Sequence, residues 1–264
     1  MDIRYTIFDP TGNLTLLTDT PVPRPDQPAL AAALMARLPE VEQVGFLEPP
    51  ALPGAKLRLQ MMGGEFCGNA SMSAAAWLTE RKGLPMPASV PLEVSGCAGV
   101  LSCRLEAAEG GWLGTVPMPL PEKLETVFVS GAGSVPAVFF SGIVHCILPA
   151  GALSHAQAET AIRPLCAALG ADACGLLLWD AAGAAFSPLV YVAASDTAVW
   201  ESGCGSGSAA LGVWLTIRAG TGQAVSLCQP GGVITVRTEW RGGTVSALSI
   251  SGQIRRRGSG LLSL

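Results

Sequence analysis

At 264 residues the chain is long enough for one large domain or two of ordinary size, and 49% hydrophobic against 14% charged residues allows sizeable buried cores. A net charge of −4 without a basic block argues against nucleic acid and anionic membrane as partners; Arg255, Arg256 and Arg257 suit a solvated strand end. No stretch reaches the ~18 apolar residues of a membrane helix. The N-terminal MDIRYTIFDP carries Asp2 and Arg4 where a signal peptide has an apolar core, so a cytoplasmic protein is expected. Eight cysteines without any C-x-x-C favour free thiols over disulfides, zinc or a thioredoxin-type motif.

Along the chain, strands are expected at 4–8, 14–18, 42–48, 56–62, 91–96, 137–150, 175–180, 188–193, 224–228, 233–240 and 244–252, where short apolar or alternating runs stand between turn residues. Helices are expected at 28–38, 67–83, 154–170 and 204–220. The fold class is α/β of the α+β kind, rich in antiparallel strands.

The segment CGNASMSAAAWLTERKG (67–83) returns as CGSGSAALGVWLTIRAG (204–220), identical at eight of 17 positions. A strand precedes each cysteine, a Gly closes each segment, and a further strand and a Gly–Val pair follow. This pattern divides the chain into homologous halves, 1–121 and 122–264, joined near the Pro-rich stretch 117–125, with the last strand free to cross back. Both cysteine-headed segments are small or apolar nearly all round, and a helix apolar on every side is buried on every side. Each half is therefore expected to be a curved sheet or barrel around its own central helix.

A helix that begins at Cys-Gly aims its unpaired N–H groups and about half a positive charge out of its N-terminus. A cysteine there is expected to have its thiolate stabilised, and Gly68 and Gly205 leave room for a ligand to approach the backbone. Two such ends facing one another would hold one carboxylate, with a sulfur on either side of the adjacent carbon. One sulfur removes the proton and the other returns one to the opposite face. Charge-assisted hydrogen bonds of ~1.5–3 kcal/mol each, from about four N–H groups, would supply at most roughly 6–12 kcal/mol toward holding the carbanion. GSGSAALG (205–212) lacks the dinucleotide-loop spacing, and Lys56, Lys82 and Lys123 have no pyridoxal context, so no cofactor and no metal are expected. The remaining six cysteines read as small buried hydrophobes.

These residues resemble the diaminopimelate epimerase family of cofactor-independent racemases, over nearly the whole chain. The resemblance implies Cys67 and Cys204 as the two bases, with Gly68, Asn69, Gly205 and Ser206 holding the α-carboxylate. DPTGNLTLL (9–17) is similar to the family's substrate-contacting N-terminal strand and implies Asn13. EQVGFLE (42–48) implies Gln43 and Glu42, VHC (144–146) implies a catalytic His145, and WESGCGSG (200–207) keeps an acid at Glu201. Alternatives stand beside three of these: Asn13 suits a turn, Glu42 a solvated strand edge, and Glu201 a helix start. His155 reads as structural. The family also implies a homodimer and a small amino acid substrate.

The departures concern the distal end of a diaminopimelate substrate. Ser202 follows Glu201 where the family has Arg, SGIV (141–144) replaces an Asn-Pro, GLLLWD (175–180) lacks an Asn, and the approach GGEF (63–66) is short. With shortened loops and EQVGF, EFCGNA, VSGC, CGSG and QPGG, the chain is more similar to the histidine racemases that serve staphylopine-type opine metallophores. An amino acid with one α-centre, histidine, is the implied substrate. The rivals are diaminopimelate epimerase itself, a non-catalytic amino acid-binding protein that would not need two thiols, and a thiol oxidoreductase that would cycle a disulfide.

Overall fold

The computed structural model describes all residues, Met1–Leu264, as two compact units: Met1–Pro117 with Ser251–Leu264, and Met118–Ile250. The fold is mixed α+β, as the sequence led us to expect, with strands far outnumbering helices.

The first unit comprises β1 (Asp2–Pro10), β2 (Thr15–Thr18), β3 (Gln43–Glu48), β4 (Leu57–Met61), β5 (Ala88–Val94), β6 (Val100–Ala108), β7 (Gly111–Pro117) and the distal part of β16 (Thr244–Ser263). They lie in the order β1-β2-β3-β4-β5-β6-β7-β16, and antiparallel pairing of β16 back onto β1, from Asp2↔Ser263 to Pro10↔Ile254, closes the barrel. Inside runs the helix α2 (Gly68–Lys82), packed against β1, β2, β4, β5, β6 and β7. A barrel has no exposed sheet edge, and an apolar helix within it satisfies its own backbone. The helix α1 (Gln27–Arg37) packs outside on β3, over a small core of Ile3, Leu16, Leu34, Val44 and Phe46.

The second unit comprises β8 (Lys123–Val129), β9 (Gly133–Phe140), β10 (Ile143–Pro149), β11 (Ala173–Asp180), β12 (Ala185–Val192), β14 (Ala224–Gln229), β15 (Gly232–Arg241) and the first part of β16, with the short β13 (Thr197–Trp200) beside β12. Its sheet carries α4 (Gly205–Ala219), packed against β9, β10, β14 and β15, and α3 (His155–Leu169), packed against β11 and β12. Ser154 starts α3 with a capping box closed by Gln157, and Gly170 ends it in the left-handed conformation. Cys146, Cys166 and Cys174 sit in the core under α3, as small apolar side chains do.

Three differences from the sequence reading stand out. The run 137–150 is two strands, because Ser141–Gly142 turns the chain and Gly142 takes a φ of 84°. Strands β6, β7 and β8 carry charged or mixed residues on an open face, which hides the apolar alternation. A 3-10 turn and β13 stand between β12 and Cys204, so the second half is longer there than the first.

Close helix packing makes a sharp prediction at Gly212, inside α4. A Cβ there would stand 2.4 Å from Val236 Cγ1 on β15. Alanine is the better helix former by ~1 kcal/mol, but forcing a methyl into a packed core costs about 1–3 kcal/mol. Gly212→Ala is expected to lower the urea unfolding midpoint; a raised midpoint would show that β15 yields.

Candidate active site

Both repeated helices start the same way. Cys67 and Cys204 are extended N-caps, with ψ of 114° and 106°, and their sulfurs accept the third N–H of the helix: Ala70 N–H to Cys67 Sγ at 3.4 Å and Gly207 N–H to Cys204 Sγ at 3.2 Å. Ser71 and Ser208 then donate back to the two cysteine carbonyls, each at 2.7 Å. Gly83 and Gly220 end the helices in the left-handed conformation. In the last turns Arg81 and Arg218 stack over Trp77 and Trp214, at 4.9 and 4.8 Å. The sequence repeat is thus a repeat of caps, and each cap leaves the first N–H groups aimed along the helix axis.

In the first unit a chain of amides leads away from the half-buried Cys67. Cys67 Sγ donates to Gln43 Oε1 at 3.1 Å, and Gln43 Nε2 donates to Asn13 Oδ1 and to Thr15 Oγ1, both at 2.6 Å. Asn69 Nδ2 donates to the same Asn13 oxygen at 3.1 Å, and Asn13 Nδ2 donates to Glu42 Oε2 at 2.6 Å. Every amide direction follows from Glu42, because a carboxylate only accepts. Burial raises the Glu42 pKa, against the opposing hydrogen bond from Asn13. The turn that presents Asn13 is itself held, with Gly12 N–H on Asp9 Oδ1 at 2.6 Å and Arg257 on the other Asp9 oxygen. The structure therefore brings Asn13, Glu42, Gln43, Cys67 and Asn69 into one network, and adds Thr15, which the sequence reading passed over as an ordinary strand residue.

In the second unit Cys204 is 2% exposed. Its backbone N–H donates to Gln229 Oε1 at 2.6 Å, and Gln229 Nε2 donates to Ser208 Oγ at 3.0 Å, so Gln229 locks the start of α4. The stretch QPGG contained this residue, but nothing in its spacing marked the role. Burial, and after it the negative charge and hydrogen bond of Glu201, pushes the Cys204 thiol well above its usual range. A stabilised thiolate is expected here from the helix start alone. A helix end is worth only about 0.3–1 kcal/mol, and at this position desolvation outweighs it.

Ser206 Oγ lies 3.6 Å from Cys204 Sγ and 2.9 Å from Nε2 of His145. His145 on β10 is fully buried, and burial lowers its pKa to about 3. It stays neutral throughout the physiological range and touches Ser206 rather than the sulfur. Gly205 heads α4 beside Ser206. His155 is elsewhere, stacked at 3.9 Å on Trp200.

The neutral state of His145 has a measurable consequence. The unfolded chain takes up the proton near pH 6.5 and the folded one near pH 3, so this group's contribution is lost as pH falls through that window, by up to ~1.4 kcal/mol per unit. The urea-derived stability gap between the protein and His145→Phe should shrink between pH 7.5 and pH 5. A constant gap would mean that His145 is not held neutral.

Comparison with known proteins puts a family around this geometry. The model of the histidine racemase CntK N-terminal domain matches residues 2–262. The histidine racemase of Staphylococcus aureus strain Mu50 is 29% identical over 266 residues, covering 96% of this chain and 94% of that one. A histidine racemase of Fusobacterium nucleatum subsp. nucleatum is 32% identical over 216 residues, 79% of each chain. A hydroxyproline epimerase structure from Agrobacterium vitis superposes with a TM-score of 0.73 over 100% of this chain and 93% of that one, at 15% identity, and shares the fold. The two N-capping thiols, the barrel around α2 and the full-length match converge: the chain belongs to the histidine racemase family of isomerases.

Proposed function

We propose that the protein interconverts L- and D-histidine by a two-base mechanism at Cα that needs no cofactor. The observation that carries this reading is the pair of matching helices, each capped by a cysteine sulfur that accepts its third N–H. The mechanism requires the two helix ends to meet at one substrate. The α-carboxylate then lies on the first N–H groups of α2 and α4, at Gly68, Asn69, Gly205 and Ser206, where dipoles and donors favour an anion.

Cys204, kept protonated by burial and by Glu201, serves as the resting acid, and Cys67 becomes the base once the S–H it donates to Gln43 Oε1 has been lost to solvent. In one direction the Cα–H bond breaks and its proton joins Cys67, while its electron pair spreads into the carboxylate. The Cys204 S–H bond then breaks and its proton joins the opposite face of Cα. Cys67 ends as thiol and Cys204 as thiolate, so the enzyme is left ready for the reverse turnover. Preorganised donors at the carboxylate are worth most here, because charge develops on those oxygens as the C–H bond breaks. Asn13, Glu42 and Gln43 line the approach to Cys67 and contact the rest of the substrate, with the Glu42 carboxylate the one charged acceptor in that network.

Two relatives named for histidine support the choice of substrate. The lost distal handles, with Ser202 after Glu201, weigh against diaminopimelate. The same reading makes the protein a cytoplasmic homodimer that supplies D-histidine for opine metallophore assembly. No helix of the chain is long and apolar enough to cross a membrane.

The test is incubation of single L-amino acids with the protein in D₂O, following Cα–H loss by NMR together with optical rotation. Histidine is expected to lose its Cα proton and its rotation, and Cys67→Ser and Cys204→Ser each to slow this by about 10²–10⁴-fold. Faster turnover of meso-diaminopimelate would overturn the substrate. Unchanged turnover in the double Cys→Ser protein would overturn the two-base mechanism, and recovery of a Cys67–Cys204 disulfide on every turnover would make the protein an oxidoreductase.

A further inference from the structure

We infer that His145 is a positioning residue: its neutral Nε2–H tautomer makes Ser206 a hydrogen-bond donor to the Cys204 sulfur. The inference rests on the racemase reading for its catalytic meaning, but its geometry lies wholly within the second unit.

The protons around Ser206 can be counted. Cys204, as a thiol, has one S–H, and the Glu201 side chain is its hydrogen-bonded acidic neighbour. With its S–H donated to that carboxylate, the Cys204 sulfur has only lone pairs left to offer, and it already accepts the Gly207 N–H. Ser206 Oγ, 3.6 Å away, can then meet the sulfur only by donating its single proton. A hydroxyl that has spent its proton on sulfur cannot also donate to Nε2 of His145, so across the 2.9 Å contact Nε2–H must donate to Ser206 Oγ. The neutral ring then bears no proton on Nδ1.

The surroundings of the ring agree. Nδ1 is buried and has no hydrogen-bond partner. It faces the backbone of Gly175, His145's direct partner in the parallel β10–β11 pair, and a Cβ on Gly175 would stand 2.1 Å from it. Buried N–H groups without partners are rare in folded proteins, and the Nε2–H tautomer is the one that leaves no such donor at Nδ1. Gly175 has a reason in turn: any side chain there would collide with the ring that reaches Ser206.

The consequence falls on Cys204 when it gives up its proton. Ser206 Oγ–H and Gly207 N–H are already aimed at the sulfur, so the new thiolate meets two donors without any group having to turn. Beyond them, Glu201 opposes the charge, and His145 reaches the sulfur only through Ser206 and stays neutral. Ser206 thus has two separate tasks: its hydroxyl serves the sulfur, and its backbone N–H remains for the substrate carboxylate.

The chain has only two histidines, so a long-range ¹H–¹⁵N spectrum of ¹⁵N-histidine-labelled protein reads the tautomer directly, with His155→Gln to assign the signals. The expected result is a His145 ring protonated on Nε2 alone from pH 5.5 to 8.5. An Nδ1–H tautomer, or titration within that range, overturns the inference. In parallel, the pH profile of Cys204 alkylation, read by peptide mass, is expected to move up by about one unit in His145→Phe. kcat should fall roughly tenfold with KM nearly unchanged, and His145→Gln, which keeps an N–H donor, should recover much of both. Equal profiles in all three proteins overturn the inference even if the variants are slower, because a purely structural role would slow them without moving the thiol. Histidine exchange in D₂O alongside an Nδ1–H ring retires this inference and leaves the racemase reading standing. The expected tautomer and alkylation shift without exchange of any amino acid do the opposite.

Discussion

A cysteine sulfur that caps a buried helix is the constraint on which the rest of this structure depends. An apolar helix inside a barrel has nowhere to send its first N–H groups, so the chain must satisfy them at the cap or present them to a ligand. Here the sulfur takes the third N–H and leaves the earlier ones pointing outward. The atom that completes the helix is thus the atom proposed to do the chemistry. A serine or aspartate would cap as well, but neither offers a thiol that can take and return a proton near neutral pH.

The same cap sits in two different environments. Cys67 is half-buried at the end of an amide chain whose direction is set by Glu42. Cys204 is enclosed, faces an acid, and has a hydroxyl held by a neutral imidazole beside it. In the proposed mechanism the two sulfurs exchange roles and cannot both rest as thiolates, and unequal surroundings are a physical way to decide which holds the proton. Burial dominates at Cys204, where the half-charge of the helix end is too small to offset the loss of water.

Eight identical positions in two 17-residue segments could be taken for a signature of catalysis, yet only the cysteines and the glycines that follow them belong to the proposed chemistry. The serines bond back to the cysteine carbonyls, the arginines cover the tryptophans, and Gly83 and Gly220 end the helices. At the paired threonines, Thr216 bonds to the Gly212 carbonyl. The repeat therefore records what a buried helix needs to start, stop and pack, and the positions that differ carry the asymmetry of the site.

Much of this was legible in the sequence. Segments lacking a polar face had to be buried helices, and Cys-Gly at one end with Gly at the other marked their bounds to within a residue. Strong apolar runs such as 42–48 and 175–180 could only be strands, whereas β6, β7 and β8, with one face in solvent, did not stand out. Asn13, Gln43 and Asn69 were marked as site residues, but not their bonding to one another, because hydrogen bonds between residues up to 56 positions apart depend on how the barrel closes. Tertiary structure alone decided that 251–264 packs with the first unit, that Gln229 and Thr15 hold the site, and that His145 stands behind Ser206. It also decided the protonation of Cys204: a helix end is visible in a local pattern, but desolvation depends on every chain segment that keeps water away.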